Sequence, residues 1–240
     1  LTVTPGFIDM HAHSDLAVIS DPQHLAKVTQ GVTTEVLGQD GLSYVPSNPE
    51  TLQQLRGQLF GWNGEPEGFK WNFNTVGQYL ARVDEGAAVN VAYLIPHGTV
   101  RMVVRGNEEG VATDDELKQM SNLVETGMKE GAFGLSAGLT YVPAIYADDR
   151  EIIELCKIVA KYGGYYAPHH RNYGAKFLDA VAECLDIAEQ SKSPLHLTHC
   201  HMSHPNFHDK THLLFEMMDK AEAKGVDVTL DTYPYLAGST

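Results

Sequence analysis

The stretch Phe7-Ile8-Asp9-Met10-His11-Ala12-His13 sets two imidazoles two residues apart, after a short apolar run entered through Pro5 and Gly6. Alternate residues of a strand share a face, so Asp9, His11 and His13 point the same way. Two neutral imidazoles from one strand end can grip one divalent ion without backbone strain. A bare His-x-His is weak evidence; behind a buried strand it becomes a metal-binding pair. The same parity sorts Tyr-Tyr-Ala-Pro-His-His-Arg at 165–171. His169 shares a face with Ala167 and Arg171, and if the small Ala167 points inward, His169 is a ligand and His170 packs outside. In Leu-His-Leu-Thr-His-Cys-His at 195–201, His199 and His201 share a face with Leu195 and Leu197, opposite His196 and Cys200. His199 is the ligand candidate there, and His201 stands at the rim, facing substrate or solvent.

Asp40, in Gly-Gln-Asp-Gly, supplies a carboxylate that binds one cation or bridges two. The competing reading is a plain turn residue, since Asp-Gly is a common turn dipeptide. His97 ends a strand in Pro-His-Gly-Thr-Val-Arg, with Arg101 close behind. That pair could orient a substrate carboxylate, the arginine through a bidentate contact; a structural histidine at the strand end is the alternative. His204, His208 and His212 follow in loop and helix and read as solvated. Four imidazoles and one carboxylate from four strand ends form a nitrogen-rich set that suits zinc, as one ion or two. Such a cation polarises a carbonyl and makes water acidic enough to attack near neutral pH. That chemistry is hydrolysis, and no serine elbow or Cys-His pairing competes with it.

Positioning these groups requires a repeating scaffold. Strand-like segments at 6–14, 33–40, 90–97, 131–139, 165–171, 194–201 and 226–234 alternate with helix-like segments at 114–130, 148–162, 175–191 and 209–224. Alternation of this kind implies parallel βαβ units. The reading is an α/β fold, a TIM-like (β/α)8 barrel of the metal-dependent hydrolase type, present as a fragment covering about strands 1–7. An open doubly wound sheet is the runner-up. The barrel is favoured because His, Asp and Arg gather at the C-terminal ends of many strands, not at one switch point. The long connection at 42–75, with Trp62 and Trp71, is either a lid or a surface excursion with its own aromatic cluster.

The chain's 240 residues are 43% hydrophobic and 20% charged, enough for one large domain. A net charge of −14 argues against nucleic acid, whose phosphates need a basic surface, and no apolar run approaches a membrane span. Cys156, Cys184 and Cys200 make no disulfide framework, which points to a reducing, cytoplasmic compartment. The first residue is not Met, so the true N-terminus is not seen and the want of a signal peptide decides nothing.

At Thr-Pro-Gly-Phe-Ile-Asp-Met-His-Ala-His-Ser-Asp the sequence resembles the amidohydrolase superfamily. Gly-Val-Thr-Thr-Glu-Val-Leu-Gly-Gln-Asp-Gly, His-Gly-Thr-Val-Arg, Gly-Leu-Ser-Ala-Gly-Leu-Thr-Tyr-Val-Pro, Ala-Pro-His-His-Arg, Leu-Thr-His-Cys-His and Asp-Thr-Tyr-Pro-Tyr narrow this to the N-acyl-D-amino-acid deacylase (D-aminoacylase) family. Individually most are weak; in family order across nearly the whole chain they are specific. The resemblance implies a catalytic barrel over 1–240 whose last strand and small β-sandwich lie outside the chain. It implies zinc-dependent hydrolysis of a small-molecule N-acyl-D-amino acid, with His11, His13, His169 and His199 as ligands. Tyr141, Tyr146 and Arg171 fall where such enzymes approach substrate.

Three departures stand out. The family usually has Cys in a Gly-Asn-Cys-Gly motif where this chain has Gln39 and Asp40, and a carboxylate is the harder ligand. A Lys usual after the sixth-strand histidine is here His201. The general-base Asp is expected after Thr240, so the fragment alone should be poorly active or inactive. The rivals are a cyclic-amide hydrolase of the dihydroorotase or hydantoinase kind, against which the lack of a fourth-strand Lys counts, and a non-catalytic metal-binding barrel. Oligomeric state has no sequence signature here.

Overall fold

The computed structural model describes residues 2–202, 204–207, 209–235 and 237, so His208 lies outside the described residues. Seven parallel strands follow one another in chain order: β1 (Phe7–Asp9), β2 (Val32–Leu37), β3 (Asn90–Pro96), β4 (Gly134–Gly138), β5 (Tyr165–His169), β6 (Leu195–Leu197) and β7 (Val228–Leu230). Every neighbouring pair is parallel. Among the described residues no ladder joins β7 to β1, so the sheet is a curled half-barrel of the TIM type. All C-terminal strand ends point to one mouth.

Among the described residues ten helices accompany the strands: α1 (Ala17–Ser20), α2 (Leu25–Val28), α3 (Pro49–Gln58), α4 (Phe60–Asn63), α5 (Val76–Asp84), α6 (His97–Arg105), α7 (Asp114–Lys129), α8 (Asp149–Lys161), α9 (Phe177–Ser191) and α10 (Thr211–Glu222). The four helices expected from periodicity match α7 to α10. Helix α7 starts in a full capping box, with Thr113 and Glu116 each bonding the other's backbone, and Asp148 caps α8 through the N–H of Glu151. Helices α3 and α4 lie inside the long 42–75 connection, which carries a buried aromatic core of Tyr44 and Phe73 packed with Phe69 and Trp71.

The apolar residues sort into two layers. A small inner cluster holds Val36, Leu94 and Ala167, with Met10, Ala92 and Tyr165 against it. The large outer cluster, between sheet and helices, includes Leu37, Ile95, Leu135, Tyr166, Leu195 and Leu197. The barrel interior is therefore on the face of Ala167, as the placement of His169 requires. On β6 the face assignment differs from expectation. Leu195 and Leu197 belong to the outer layer, and it is His196 that faces inward, 6.2 Å from the ring of Tyr165.

Candidate metal centre

Asp40 sits on a tight 3-10 turn, Gln39–Gly41, directly after β2, and is 4% exposed. The turn is left-handed at three of four residues, with φ of 74° at Gly38, 54° at Asp40 and 71° at Gly41. It is pressed onto β4 so closely that a Cβ on Gly138 would stand 2.0 Å from the Asp40 carbonyl oxygen, which only glycine tolerates. Ser136 Oγ accepts from the N–H of Gly41 at 3.0 Å and donates to the Gly38 carbonyl. Asp15 accepts from the N–H of Gly38 at 2.8 Å and from Ser43 Oγ at 2.6 Å. Held on both flanks, Asp40 projects its carboxylate into the mouth.

Four imidazoles surround that carboxylate. His11 Nε2 lies 3.5 Å from Oδ2, His13 Nε2 3.3 Å from Oδ2, His199 Nε2 3.2 Å from Oδ1 and His169 Nδ1 3.9 Å from Oδ2. The inward nitrogens of His169 and His199 are 3.2 Å apart. One donor atom each from His11, Asp40 and His199 falls within 4.8 Å of the others, a spacing that fits one divalent cation. His13 and His169 also face the Asp40 carboxylate, so all five expected ligand residues gather around it, three of them close enough together to share one ion. Asp9 does not join them: its carboxylate turns to Lys27 Nζ at 2.5 Å, and the chain leaves the extended course after β1.

His199 reaches the mouth by a route that strand alternation does not give. It lies past the end of β6 at a left-handed φ of 33°, and this break swings its side chain from the outer face to the interior. Its N–H donates to Asp231 Oδ1 at 2.5 Å, and Thr198 Oγ1 donates to the Pro168 carbonyl at 2.7 Å, fixing the kink from both sides.

The outward ring nitrogens of His169 and His199 also have oxygen partners. Thr140 Oγ1 is 2.8 Å from His169 Nε2, and Tyr173 Oη is 2.8 Å from His199 Nδ1 while accepting the N–H of His170 at 3.0 Å. With those nitrogens donating outward, His169 Nδ1 and His199 Nε2 keep their lone pairs for a cation. Trp62 of α4 packs over His13, ring centroids 4.2 Å apart and planes tilted by 34°, so the 42–75 excursion supplies one wall of the site.

Electrostatics follow from this packing. Burial would raise the Asp40 pKa, but the hydrogen bonds from His11, His13, His169 and His199 outweigh it and hold the carboxyl well below its usual range. Burial would lower His11, but hydrogen bonds to Asp231 and Asp40 prevail and raise it to about 10. Burial lowers His169, and it drives His170, stacked on Tyr173 outside the ligand set, down to about 3. At neutral pH the cation-free centre therefore keeps a proton on His11 that an incoming cation must displace. Zinc uptake is expected to release about one proton, and affinity to climb about tenfold per pH unit below about 10. Titration calorimetry in buffers of different ionisation enthalpy checks this; a heat independent of buffer would contradict it.

The expected substrate contacts fare unequally. Tyr141 is at the centre, its Oη 3.4 Å from His169 Nδ1. His201 stands at the rim, 2.8 Å from Thr232 Oγ1 and edge-on to Tyr233. Tyr146 is turned away towards Glu109, 3.5 Å from its carboxylate. His97 and Arg101 require correction. Both are 0% exposed, and they converge on buried Glu151, at 2.6 Å from His97 Nε2 and in direct contact with the Arg101 guanidinium. His97 is not a strand end but the first residue of α6, and the turn of that helix carries both side chains into the α6–α8 interface. Arg171 is likewise engaged, bonding Glu183 at 2.9 Å and the carbonyls of Ile145 and Ala147. Sequence reading missed Thr140, Tyr173 and Asp231, because each acts on a ligand from a different element. For Asp231 a signal existed: an Asp closing a strand in Thr-Leu-Asp-Thr, the position type of the ligands themselves.

A family model described as "Amidohydrolase family" matches residues 1–237. A D-aminoacylase of Alcaligenes xylosoxydans xylosoxydans is 37% identical over 245 residues, covering 100% of this chain and 48% of that protein. An N-acyl-D-aspartate deacylase of the same organism is 35% identical over 242 residues, covering 100% of this chain and 47% of its own length. The crystal structure of an N-acyl-D-glutamate deacylase from Bordetella bronchiseptica, complexed with zinc and a phosphonate inhibitor, superposes with a TM-score of 0.83 at 29% identity, over 96% of this chain and 48% of that one. The chain thus spans about half the length of the curated relatives it matches. Seven parallel strands in barrel order, a histidine-carboxylate cluster at their mouth and a family match along almost every residue agree: the chain belongs to the amidohydrolase family, in the branch that holds the D-aminoacylases.

Proposed function

We propose that the intact protein hydrolyses the amide bond of N-acyl-D-amino acids at a zinc centre held by His11, His13, Asp40, His169 and His199, with residues 1–240 forming one catalytic barrel domain. The observation that carries this reading is the Asp40 carboxylate lying within 3.9 Å of four imidazole nitrogens drawn from the ends of β1, β5 and β6. The donor set fits: nitrogen-rich with one buried carboxylate, the histidines buried or part-buried, and with outward nitrogens of His169 and His199 already engaged. A bound cation supplies Lewis acidity, polarising the amide carbonyl and acidifying the attacking water.

The chain's own residues do the rest. Asp40 stays ionised, balancing cationic charge in a nearly buried site. Burial pushes the Tyr141 phenol up, so it remains a hydrogen-bond donor beside His169, placed to meet a substrate oxygen. Trp62 gives an apolar flank for the acyl group, and His201 faces the rim. Proton transfer from water to the leaving amine falls to the Asp that the family resemblance puts beyond Thr240. The substrate class rests on the relatives named D-aminoacylase and N-acyl-D-aspartate deacylase. The net charge of −14 disfavours nucleic acid, and among the described residues no helix is long and apolar enough to cross a membrane. Three free, buried cysteines support a cytoplasmic setting.

Assay of the full-length protein on paired N-acetyl-D- and N-acetyl-L-amino acids tests the reading. Turnover of the D-series, lost on chelation and restored by zinc, is expected. Turnover of neither series with zinc present would sink it.

A further inference from the structure

Asp231, just past β7, lies against two of the proposed ligand residues at once. Its Oδ1 accepts the N–H of His199 at 2.5 Å, the hydrogen bond that holds the left-handed break in β6. Its Oδ2 lies 3.0 Å from His196 Nε2 and 3.5 Å from His11 Nδ1. His11 Nδ1 is buried, and Asp231 is its acidic neighbour on that side, while His11 Nε2 faces Asp40. His196 is in turn fixed by Thr229, whose Oγ1 is 2.7 Å from Nδ1. Thr229 and Asp231 are two residues apart, so both project inward from the same face of β7.

We infer that Asp231 is a positioning residue for the cation site, setting the ring of His11 and the backbone of His199 together through one ionised carboxylate. The inference rests on the cation reading above. The physical reason is one of donors and acceptors. A ring that offers Nε2 to a cation must carry its proton on Nδ1, and Nδ1–H needs an acceptor on the outer side. Asp231 Oδ2, 3.5 Å from Nδ1, is the group placed to be that acceptor for His11, as Thr140 and Tyr173 stand at 2.8 Å from His169 and His199. A carboxylate accepts through both oxygens, so it can serve the N–H of His199 and the ring of His11 simultaneously. No neutral isostere does this. In Asp231→Asn the amide oxygen can still accept from His199, but the NH2 group then faces His11 Nδ1 and His196 Nε2. That NH2 forces Nδ1 to become an acceptor and moves the His11 proton to Nε2, the nitrogen aimed at the cation.

The test compares zinc affinity, by chelator competition, in the full chain and in its Asp231→Asn and Asp231→Ala forms. Circular dichroism and melting serve as the check on folding, and amide hydrogen exchange at His199 is followed by NMR. Asp231→Asn is expected to keep the His199 amide protected and the fold intact while binding zinc about 10- to 100-fold more weakly. Asp231→Ala is expected to lose zinc affinity and His199 protection together. Zinc binding by Asp231→Asn within threefold of wild type would overturn the inference while leaving the cation reading in place. A wild-type chain that takes up no zinc would overturn both.

Discussion

Replacing Asp40 with alanine is expected to abolish tight zinc uptake and to lower turnover of N-acyl-D-amino acids by about a thousandfold or more. Every proposed histidine ligand faces this carboxylate, so its loss leaves four imidazoles and no anionic ligand in a part-buried site, with Asp231 only behind the ring of His11. A cation drawn from water into such a place needs compensating charge close by. Its loss removes several kcal/mol of transition-state stabilisation, and each 1.4 kcal/mol or so is tenfold in rate. Asp40→Cys separates ligation from mere space-filling. A thiolate keeps the negative charge and the short reach, so this variant should bind metal with a preference shifted towards softer ions. Equilibrium metal analysis after dialysis, paired with the activity assay, reads both outcomes. Full zinc occupancy in Asp40→Ala would show that the carboxylate is only a turn residue.

Replacing Glu151 with alanine is expected to destabilise the fold by about 3–5 kcal/mol, lowering the melting temperature by about 10 °C at a few degrees per kcal/mol for a domain of this size. Glu151 is 1% exposed and is the counter-charge of Arg101, which is 0% exposed and whose remaining contact is the Gly110 carbonyl. Removing the carboxylate strands a guanidinium in the interior, and arginine cannot neutralise itself by shedding a proton. Glu151→Gln keeps the shape and one acceptor, so its loss should be smaller. The pH dependence has a definite sign. Burial would raise the Glu151 pKa, but the hydrogen bond and charge of His97 and the charge of Arg101 prevail and lower it. A lowered carboxyl contributes stability that is complete above the unfolded value, about 4.3, and is lost as pH falls through the folded one. Acid should therefore narrow the gap between wild type and Glu151→Gln in scanning calorimetry. The network also backs the metal centre: Gly98 of α6 packs on the Gly41 carbonyl of the Asp40 turn, and Thr99 Oγ1 donates to the Ser43 carbonyl at 2.9 Å. A melting point unchanged within about 2 °C in Glu151→Ala would contradict this account.

Much of this was legible before any coordinates. Alternating strand and helix signals specify a parallel barrel, because helices α7 to α10 announce their starts with caps or their faces with apolar spacing, and strands between them have few other ways to pair. Gathering His11, His13, Asp40, His169 and His199 needs only that strand ends share a mouth. Alternation fails just past the strands. His199 reaches the cluster by a route other than the expected one: parity with Leu195 and Leu197 would have left it outside, and a left-handed break brings it in. For His97 and Arg101 the local motif invited a substrate role, but their partner Glu151 is some fifty residues away on α8, a pairing no local pattern encodes. The long 42–75 segment was ambiguous for a similar reason. Its helices are short, and the placement of Trp62 over His13 is decided by tertiary packing.

The central claim is a cation at the convergence of strands β1, β5 and β6. Anomalous diffraction at the zinc edge from crystals of the zinc-loaded protein tests it most directly. The expected result is a peak at about 2.0–2.2 Å from an Asp40 oxygen and from inward nitrogens among His11, His13, His169 and His199, with a second peak sharing Asp40 if two ions bind. Zinc bound elsewhere, with none in contact with Asp40, would contradict it.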